Sequence, residues 1–456
     1  MVLERSAAAV AVALAAVLAV SSPAHADRFQ IGFPSSIHIE DSDDGRLKLR
    51  ITENGRTIKA EARGSYTLND DETDFESVSP GSYFRIEERR HGRNSHRYEV
   101  RGLPDGGMQR TYERGDAREL DAEGRAWLAD VLLVIVRNTS FALEGHIEKV
   151  LARDGLDAAL ADIATTEGDH AQHKAYRLVL DRVGSEPGSA QRIAEAAAGS
   201  IGSDHELSEL LREIMDQDTS DAVLAACAEA SLKIGSDHER GQVLRAILDR
   251  RTLAPATLDA VVRSAAEIGS DHERAEVLIA MGESQALASP VADTYFDAVA
   301  GIGSDHEKGR TLTSVFSRAP NDPTIAAGTV RVSRRIGSDH ERAKVLSEVA
   351  AQGAVDAALA PDFFEATGGI GSDHEHANVL IALLQLRSLE PEILRPLFED
   401  AERIGSDARK ADVLEEAVRS QQLDGDVRPD FLRAVDTIGS DAARRRVQRA
   451  FDESRM

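Results

Sequence analysis

Cysteine occurs once in the 456 residues, at Cys227, and tryptophan once, at Trp127. One thiol excludes an internal disulfide. Cys227 lies in the apolar stretch that starts at Ala222 and has no His or basic residue beside it, so it is expected to act as a small buried hydrophobe rather than a reactive group. Positive charge is also scarce: 54 Lys and Arg stand against 79 Asp and Glu, a net charge of −25. Residues 27–130 carry −5 of it and residues 131–456 carry −20. That excess disfavours nucleic acid and anionic lipid surfaces as partners and suits basic proteins or cations.

Several motifs are missing as well. There is no His-Glu-x-x-His, no Gly-x-Ser-x-Gly elbow, no phosphate loop and no Gly-x-Gly-x-x-Gly fingerprint. Paired carboxylates are abundant, but in so acidic a chain they carry no catalytic weight. The expectation is therefore a protein that is not an enzyme, with no catalytic residue and no cofactor. Long apolar runs are confined to the start. Arg5, the run from Ala7 to Val20, and Ala24-His25-Ala26 form the charged start, apolar core and cleavage site of a secretory signal peptide. Export to the periplasm or the exterior is expected, with a mature chain from Asp27. Trp127–Val136 is the next most apolar stretch, and Asp130 interrupts it, so no stable membrane insertion is expected after cleavage.

Repetition dominates what is present. Ile-Gly-Ser-Asp-His-Glu begins at Ile201, Ile234, Ile268, Ile302, Ile336 and Ile370, and Ile-Gly-Ser-Asp follows at Ile404 and Ile438. The spacing is 33 residues once and 34 thereafter, the period of a solenoid. Gly168-Asp169-His170 reads as a worn earlier copy. Within one period Ala275, Leu278, Ile279 and Gly282 mark one helical face, and Val291, Tyr295, Ala298, Val299 and Ile302 a second. Each unit is then helix, turn, helix, and neither stripe is buried without stacking. Gln448 replaces the Leu found at Leu211, Leu244 and their later equivalents, as a polar end cap would.

Residues 27–119 alternate like strands, for example Leu47-Lys48-Leu49-Arg50-Ile51 and Tyr83-Phe84-Arg85-Ile86-Glu87. Turn signals such as Asn54-Gly55 and Asp105-Gly106-Gly107 separate them. The predicted fold is mostly α: an α-solenoid of nine or ten helix-turn-helix units behind a small N-terminal antiparallel β module. The expected divisions are a signal peptide at 1–26, the β module at 27–119, linking helices and a first irregular pair at 120–166, and the repeats at 167–456. Ala126, Trp127, Val131, Val134 and Ile135 fit one face of the first linking helix. The acidic loop Asn69–Asp74 reads as a solvated turn, with calcium binding as the alternative.

Capping chemistry explains most of the hexapeptide. Glycine is expected to end the outgoing helix in the left-handed conformation. Serine caps the next helix, glutamate completes a capping box, and aspartate favours the helix dipole. Ala408 and Ala442, in the shortened copies, show that the turn does not need histidine. His205, His238, His272, His306, His340 and His374 remain as a candidate interaction ridge. It reads as exposed helix-start residues, a pH-sensitive surface or a metal row. Stacked helices lie ~8–10 Å apart, too far for equivalent histidines to share an ion. Consecutive Asp, His and Glu on a helix also point in different directions. His374-Glu375-His376 is the best-spaced place for a metal.

The period matches tetratricopeptide arrays, but their signature residues are absent. Gly64-Ser65-Tyr66, Asn69–Phe75, Ser79-Pro80-Gly81, Thr111-Tyr112, Trp127–Leu132 and the Gly-Ser-Asp turns resemble a group of exported bacterial proteins that pair a β module with helical repeats. Similar segments occur in the outer portions of membrane sensor metallopeptidases of the penicillinase-regulator type. This chain lacks their spanning helices and zinc-binding helix, so peptidase activity is not implied. The expected function is a non-enzymatic interaction scaffold in the bacterial cell envelope with a protein partner, since solenoids present repeated surfaces and no catalytic motif is present. The alternative is a cation or small-ligand binder using the acidic ridge.

Overall fold

A computed structural model describes residues 36–42, 46–53, 55–91, 93–138, 140–166, 168–250, 252–386, 388–423 and 425–454. The signal-peptide segment and the Asp44-Gly45 turn lie outside them. The chain divides into two compact units, Met1–Val131 and Leu132–Met456.

Among its described residues the first unit holds nine strands: β1 (Ser36–Ser42), β2 (Arg46–Glu53), β3 (Arg56–Arg63), β4 (Tyr66–Leu68), β5 (Phe75–Val78), β6 (Tyr83–Arg90), β7 (Arg93–Gly102), β8 (Met108–Arg114) and β9 (Asp116–Arg118). Seven form one antiparallel sheet in the order β1-β2-β3-β6-β7-β8-β9, and β4 pairs with β5 as a separate hairpin. Period-two alternation gives the sheet two unlike faces. Leu49, Ile51, Ile58, Ala60, Phe84, Ile86, Tyr98 and Val100 are buried. The other face carries ion pairs such as Arg85–Glu99 at 2.9 Å and Arg97–Glu87 at 3.6 Å. The hairpin's Phe75 packs against Phe84 and Tyr98.

Helix α1 (Ala122–Asn138) follows. Its buried residues are Trp127, Leu128, Val131, Leu132, Ile135 and Val136, while Ala126 is exposed, so the face lies one position further round than the sequence pattern suggested. Trp127, common to both faces, meets Glu88, a fully buried carboxylate on β6. It accepts hydrogen bonds from Trp127 Nε1 at 2.7 Å, Arg56 Nε at 2.6 Å and Arg90 Nε at 3.0 Å. Burial pushes its pKa up, but Arg90, Arg56 and Trp127 together outweigh that and hold it below the usual carboxylate range. Asn69–Asp74 is a self-contained turn: Asn69 Oδ1 accepts from Thr73 N at 2.8 Å and Asp74 N at 3.0 Å. That leaves the Asn69 side chain committed to the loop itself.

The second unit is an array of helical pairs. It begins with α2 (Ser140–Asp154) and α3 (Leu156–Ala164), then α4 (Asp169–Val183) and α5 (Ser189–Ser200), then α6 (Asp204–Gln217). Pairs follow at the 34-residue period, and Asp441–Glu453 ends the described helices without a described second helix. First helices pack on first helices and second on second, in two layers. Both predicted stripes are buried, with Val277 and Met281 taking more of the burial than the half-exposed Ile279. One continuous core runs from Leu143 to Phe451. The motif isoleucines all lie inside it, and Gln448 is exposed where its Leu equivalents are buried. Cys227 is fully buried and its thiol is pushed up to about 12 by that burial.

Serine caps every motif helix, as expected. Ser203 Oγ accepts from Glu206 N and Ser270 Oγ from Glu273 N, and the same holds through Ser440 and Ala443. Two expectations fail. No motif glycine has a positive φ. The capping box also lacks its reciprocal half: in five turns the serine N–H is taken by another repeat. Asp204 Oδ1 and Oδ2 accept from Gly235 N and Ser236 N, both at 2.7 Å. Asp237, Asp271, Asp305 and Asp407 repeat this two-point clamp on the Gly-Ser of the following unit. Asp339 and Asp373 bond the glycine N–H at 3.0 and 2.8 Å. Glycine is required by close approach: a Cβ at Gly303 would sit 3.0 Å from Asp271 Oδ2.

Asp271→Ala leaves the Gly303 and Ser304 N–H groups without their charged acceptor, and a loss of about 2–3 kcal/mol is expected. Gly303→Ala should destabilise more than Gly202→Ala, whose added Cβ stays 3.7 Å from Asp169. Urea unfolding of the two variants checks the order.

Candidate functional site

The residues after the clamp aspartate build a second, exposed row. Serine at the cap and aspartate at the first helical position leave histidine and glutamate at the second and third. The three side chains diverge as helical spacing requires. Aspartate reaches forward to the next turn, histidine forward to the next glutamate, and glutamate back to the previous histidine.

His238 Nδ1 lies 3.0 Å from Glu273 Oε1, His272 Nδ1 3.2 Å from Glu307 Oε1, His306 Nδ1 3.1 Å from Glu341 Oε1, and His340 Nδ1 3.0 Å from Glu375 Oε1. His205 is looser, 3.5 Å from Glu239 Oε1. The imidazoles of these five rungs are 61–72% exposed. So the candidate histidines do not converge on one point. They form a ladder in which each touches the glutamate of the next repeat. His374 closes the row differently: Arg409 occupies the place of the next glutamate, and His374 Nε2 is 3.4 Å from Asn378 Nδ2.

His374-Glu375-His376 does not gather as a metal site. His376 turns inward, is buried, and lies 2.8 Å from Asp400 Oδ2. Thr367 Oγ1 donates to the same oxygen at 2.5 Å, and Arg403 Nη1 reaches Asp400 Oδ1 at 3.2 Å. Most other repeats place Arg or Lys where His376 stands. Arg240, Arg274, Arg342 and Arg444 bond the carbonyl of their motif isoleucine, satisfying the end of the outgoing helix.

The worn copy at Gly168-Asp169-His170 extends the ladder. Asp169 Oδ1 accepts from Gly202 N at 2.8 Å, and His170 Nδ1 is 3.1 Å from Glu206 Oε1. Gly168 stands at the cap without a side-chain bond. One helical turn on, buried His173 brings Nδ1 to 2.5 Å from Glu206 Oε2 and Nε2 to 3.3 Å from Glu213 Oε2. His173, Glu206 and Glu209 offer donor atoms all within 4.8 Å of one another. Sequence reasoning passed over His173 because it lies outside the hexapeptide. The available signal was a histidine one turn beyond a motif histidine.

The rung carboxylates feel both burial and their partners. For Glu206, Glu273 and Glu307, burial pushes the pKa up. Hydrogen bonds outweigh it: from His173 and His170 at Glu206, from His238 and Arg245 at Glu273, and from His272 and Arg310 at Glu307. All three end below the ordinary carboxylate range.

A carboxylate held low in the folded state stabilises above its unfolded pKa of about 4.3 and loses that contribution as pH falls through the folded value. Replacing Glu273 with Gln should therefore cost stability above pH ~5, with the gap to the parent closing toward pH ~3, measured as thermal midpoints across the range. Replacing all six ridge histidines with Ala should leave the fold intact. Each exposed rung is worth about 0–1 kcal/mol, and far-UV circular dichroism with urea unfolding reads the result.

No protein-family model matches the chain, and no curated protein matches it. Among solved structures, a computationally designed self-assembling cyclic homo-oligomer aligns at 15% identity and TM-score 0.13, covering 62% of this chain and 94% of that one. The Chs5–Bch1 exomer cargo adaptor complex aligns at 9% identity and TM-score 0.17, covering 89% and 85%. A circular tandem repeat protein aligns at 13% identity and TM-score 0.14, covering 73% and 65%. At these scores the alignments carry no argument. The helical-repeat architecture rests on the stacked helices themselves.

Proposed function

We propose that this chain is a non-enzymatic protein-interaction scaffold, exported to the bacterial cell envelope, with its helical array as the working surface. One observation carries the reading: a division of labour within the hexapeptide. Isoleucine fills the core, glycine and serine receive the clamp, and aspartate makes it. Histidine does none of this, and alanine replaces it at Ala408 and Ala442. Yet it recurs at 33- to 34-residue intervals on exposed surface, paired with a carboxylate. A regular polar row that the stack does not require is what solenoids offer to partners.

Export rests on the charged start, the apolar run and Ala24-His25-Ala26 in the sequence. No helix among the described residues is long and apolar enough to cross a membrane. The resemblance to exported repeat proteins supports the same placement. The net charge of −25 favours a basic partner face. A cation row along the exposed ridge has less support, because each rung supplies one imidazole and one carboxylate, fewer than the three or four donors a closed site needs.

The test is in-cell photo-crosslinking from probes placed at His238, His272 and His306, and at exposed positions on the second helices. The expected result is the same envelope protein captured from successive rungs and not from the other layer. Capture from neither row, or from both alike, overturns the ridge as the working surface. N-terminal sequencing of the exported protein should begin at Asp27.

A further inference from the structure

We propose that the first rung, where α4 meets α6, is a site for one divalent transition-metal ion of the zinc class, held by His173, Glu206 and Glu209. The inference goes beyond the scaffold reading and does not depend on it.

The donors are close enough. Bonds of ~2.0–2.2 Å to nitrogen and oxygen place tetrahedral ligands roughly 3.4 Å apart. The three donor atoms lie within 4.8 Å of one another. Metal binding would open the 2.5 Å His173–Glu206 contact and draw in Glu209, a half-exposed side chain. The burial is uneven in a useful way. His173 is 7% exposed, while the glutamates border solvent, so the nitrogen is fixed and the oxygens adjust.

The histidine has an unmet requirement. Both its ring nitrogens face carboxylate oxygens, at 2.5 Å and 3.3 Å. A neutral imidazole carries a single N–H, so only one of these contacts is a hydrogen bond. One N–H cannot answer both carboxylates, and a divalent ion in place of that proton would answer the oxygens of Glu206 and Glu209 together. The surroundings add negative charge, since Glu206, Glu209 and Glu213 converge on one ring. The groups facing these carboxylates are the Arg177 guanidinium, 3.5 Å from Glu213 Oε1, and the exposed imidazoles of His170 and His205.

The other repeats serve as an internal control. The position of His173 is Ser, Gly or Ala from Ser208 through Ala411, and where the following unit carries the motif glutamate it sits against that side chain. Ser208 Oγ donates to Glu239 Oε2 at 2.8 Å, and a Cβ at Gly241 would sit 3.0 Å from Glu273 Oε2. Only this junction fills the slot with a ring, and so it adds a third donor to a two-donor rung. One imidazole and two carboxylates suit zinc, cobalt or nickel better than calcium or magnesium, which prefer oxygen alone. Three protein ligands leave a position for water or for a partner's side chain. His170, 3.1 Å from Glu206 Oε1, holds the other oxygen of that carboxylate in place.

The experiment uses the full chain, untagged and stripped with chelator, titrated with zinc by calorimetry and with cobalt by visible absorption. The expected result is uptake of one ion per chain, a higher thermal midpoint, and cobalt bands typical of low coordination. His173→Ala carries the residue found at Ala275, and Glu209→Gln keeps size and shape, so both should fold and both should lose the one-to-one uptake. His272→Ala should retain it. Absence of stoichiometric uptake, or uptake that survives in His173→Ala, overturns the site. Uptake lost equally on changing His272 overturns it too, and assigns binding to the exposed ladder.

Discussion

The aspartate clamp is the contact on which the array depends. A helix start has unpaired N–H groups, and ordinarily a capping box answers them from within. Here the serine side chain answers one, and the aspartate of the preceding repeat answers the backbone of the turn itself. Each turn is therefore completed only by its neighbour, as is the apolar stripe behind it. Polar and apolar requirements point along the same axis, which makes the stack one-dimensional. The clamp keeps a length of 2.7–3.0 Å although the intervening chain spans 31 to 33 residues.

The ladder beside the clamp is a different kind of interaction. Its geometry is as regular, but its imidazoles are exposed and water competes for both partners. One rung loses both partners, since Ala408 would face Ala443, while His374 keeps its ring where Arg409 replaces the glutamate. The array continues past both without interruption. A row that is built repeatedly but contributes little to folding is available for recognition.

The first junction departs from the rest in a consistent direction. Gly168 gives up the serine cap, and the small residue one turn later becomes His173. Both changes weaken the generic repeat and concentrate polar groups at one place. Departures from local rules that the surrounding fold tolerates are where function tends to reside. The β module follows related logic, with Glu88 taken out of water only because Trp127, Arg56 and Arg90 meet it.

The sequence by itself determined the architecture. Period, stripes and turn residues are local, and the helix-turn-helix unit, its stacking, the buried Ile and Leu columns and the two-faced sheet all follow from spacing. The serine caps were legible for the same reason, because a cap and its N–H lie three residues apart. What the tertiary structure decided lies between repeats. The glycine looked like a helix terminator but proved to be a clearance for Asp271 or its equivalent, 32 residues away. The glutamate looked like half a capping box but pairs with a histidine 35 residues before it. His173 looked like an unremarkable helical residue until stacking brought Glu206 and Glu213 to its two nitrogens. A sequence displays contacts within one turn of helix. Contacts across a stack depend on how far one unit is displaced against the next, and only the packed structure sets that distance.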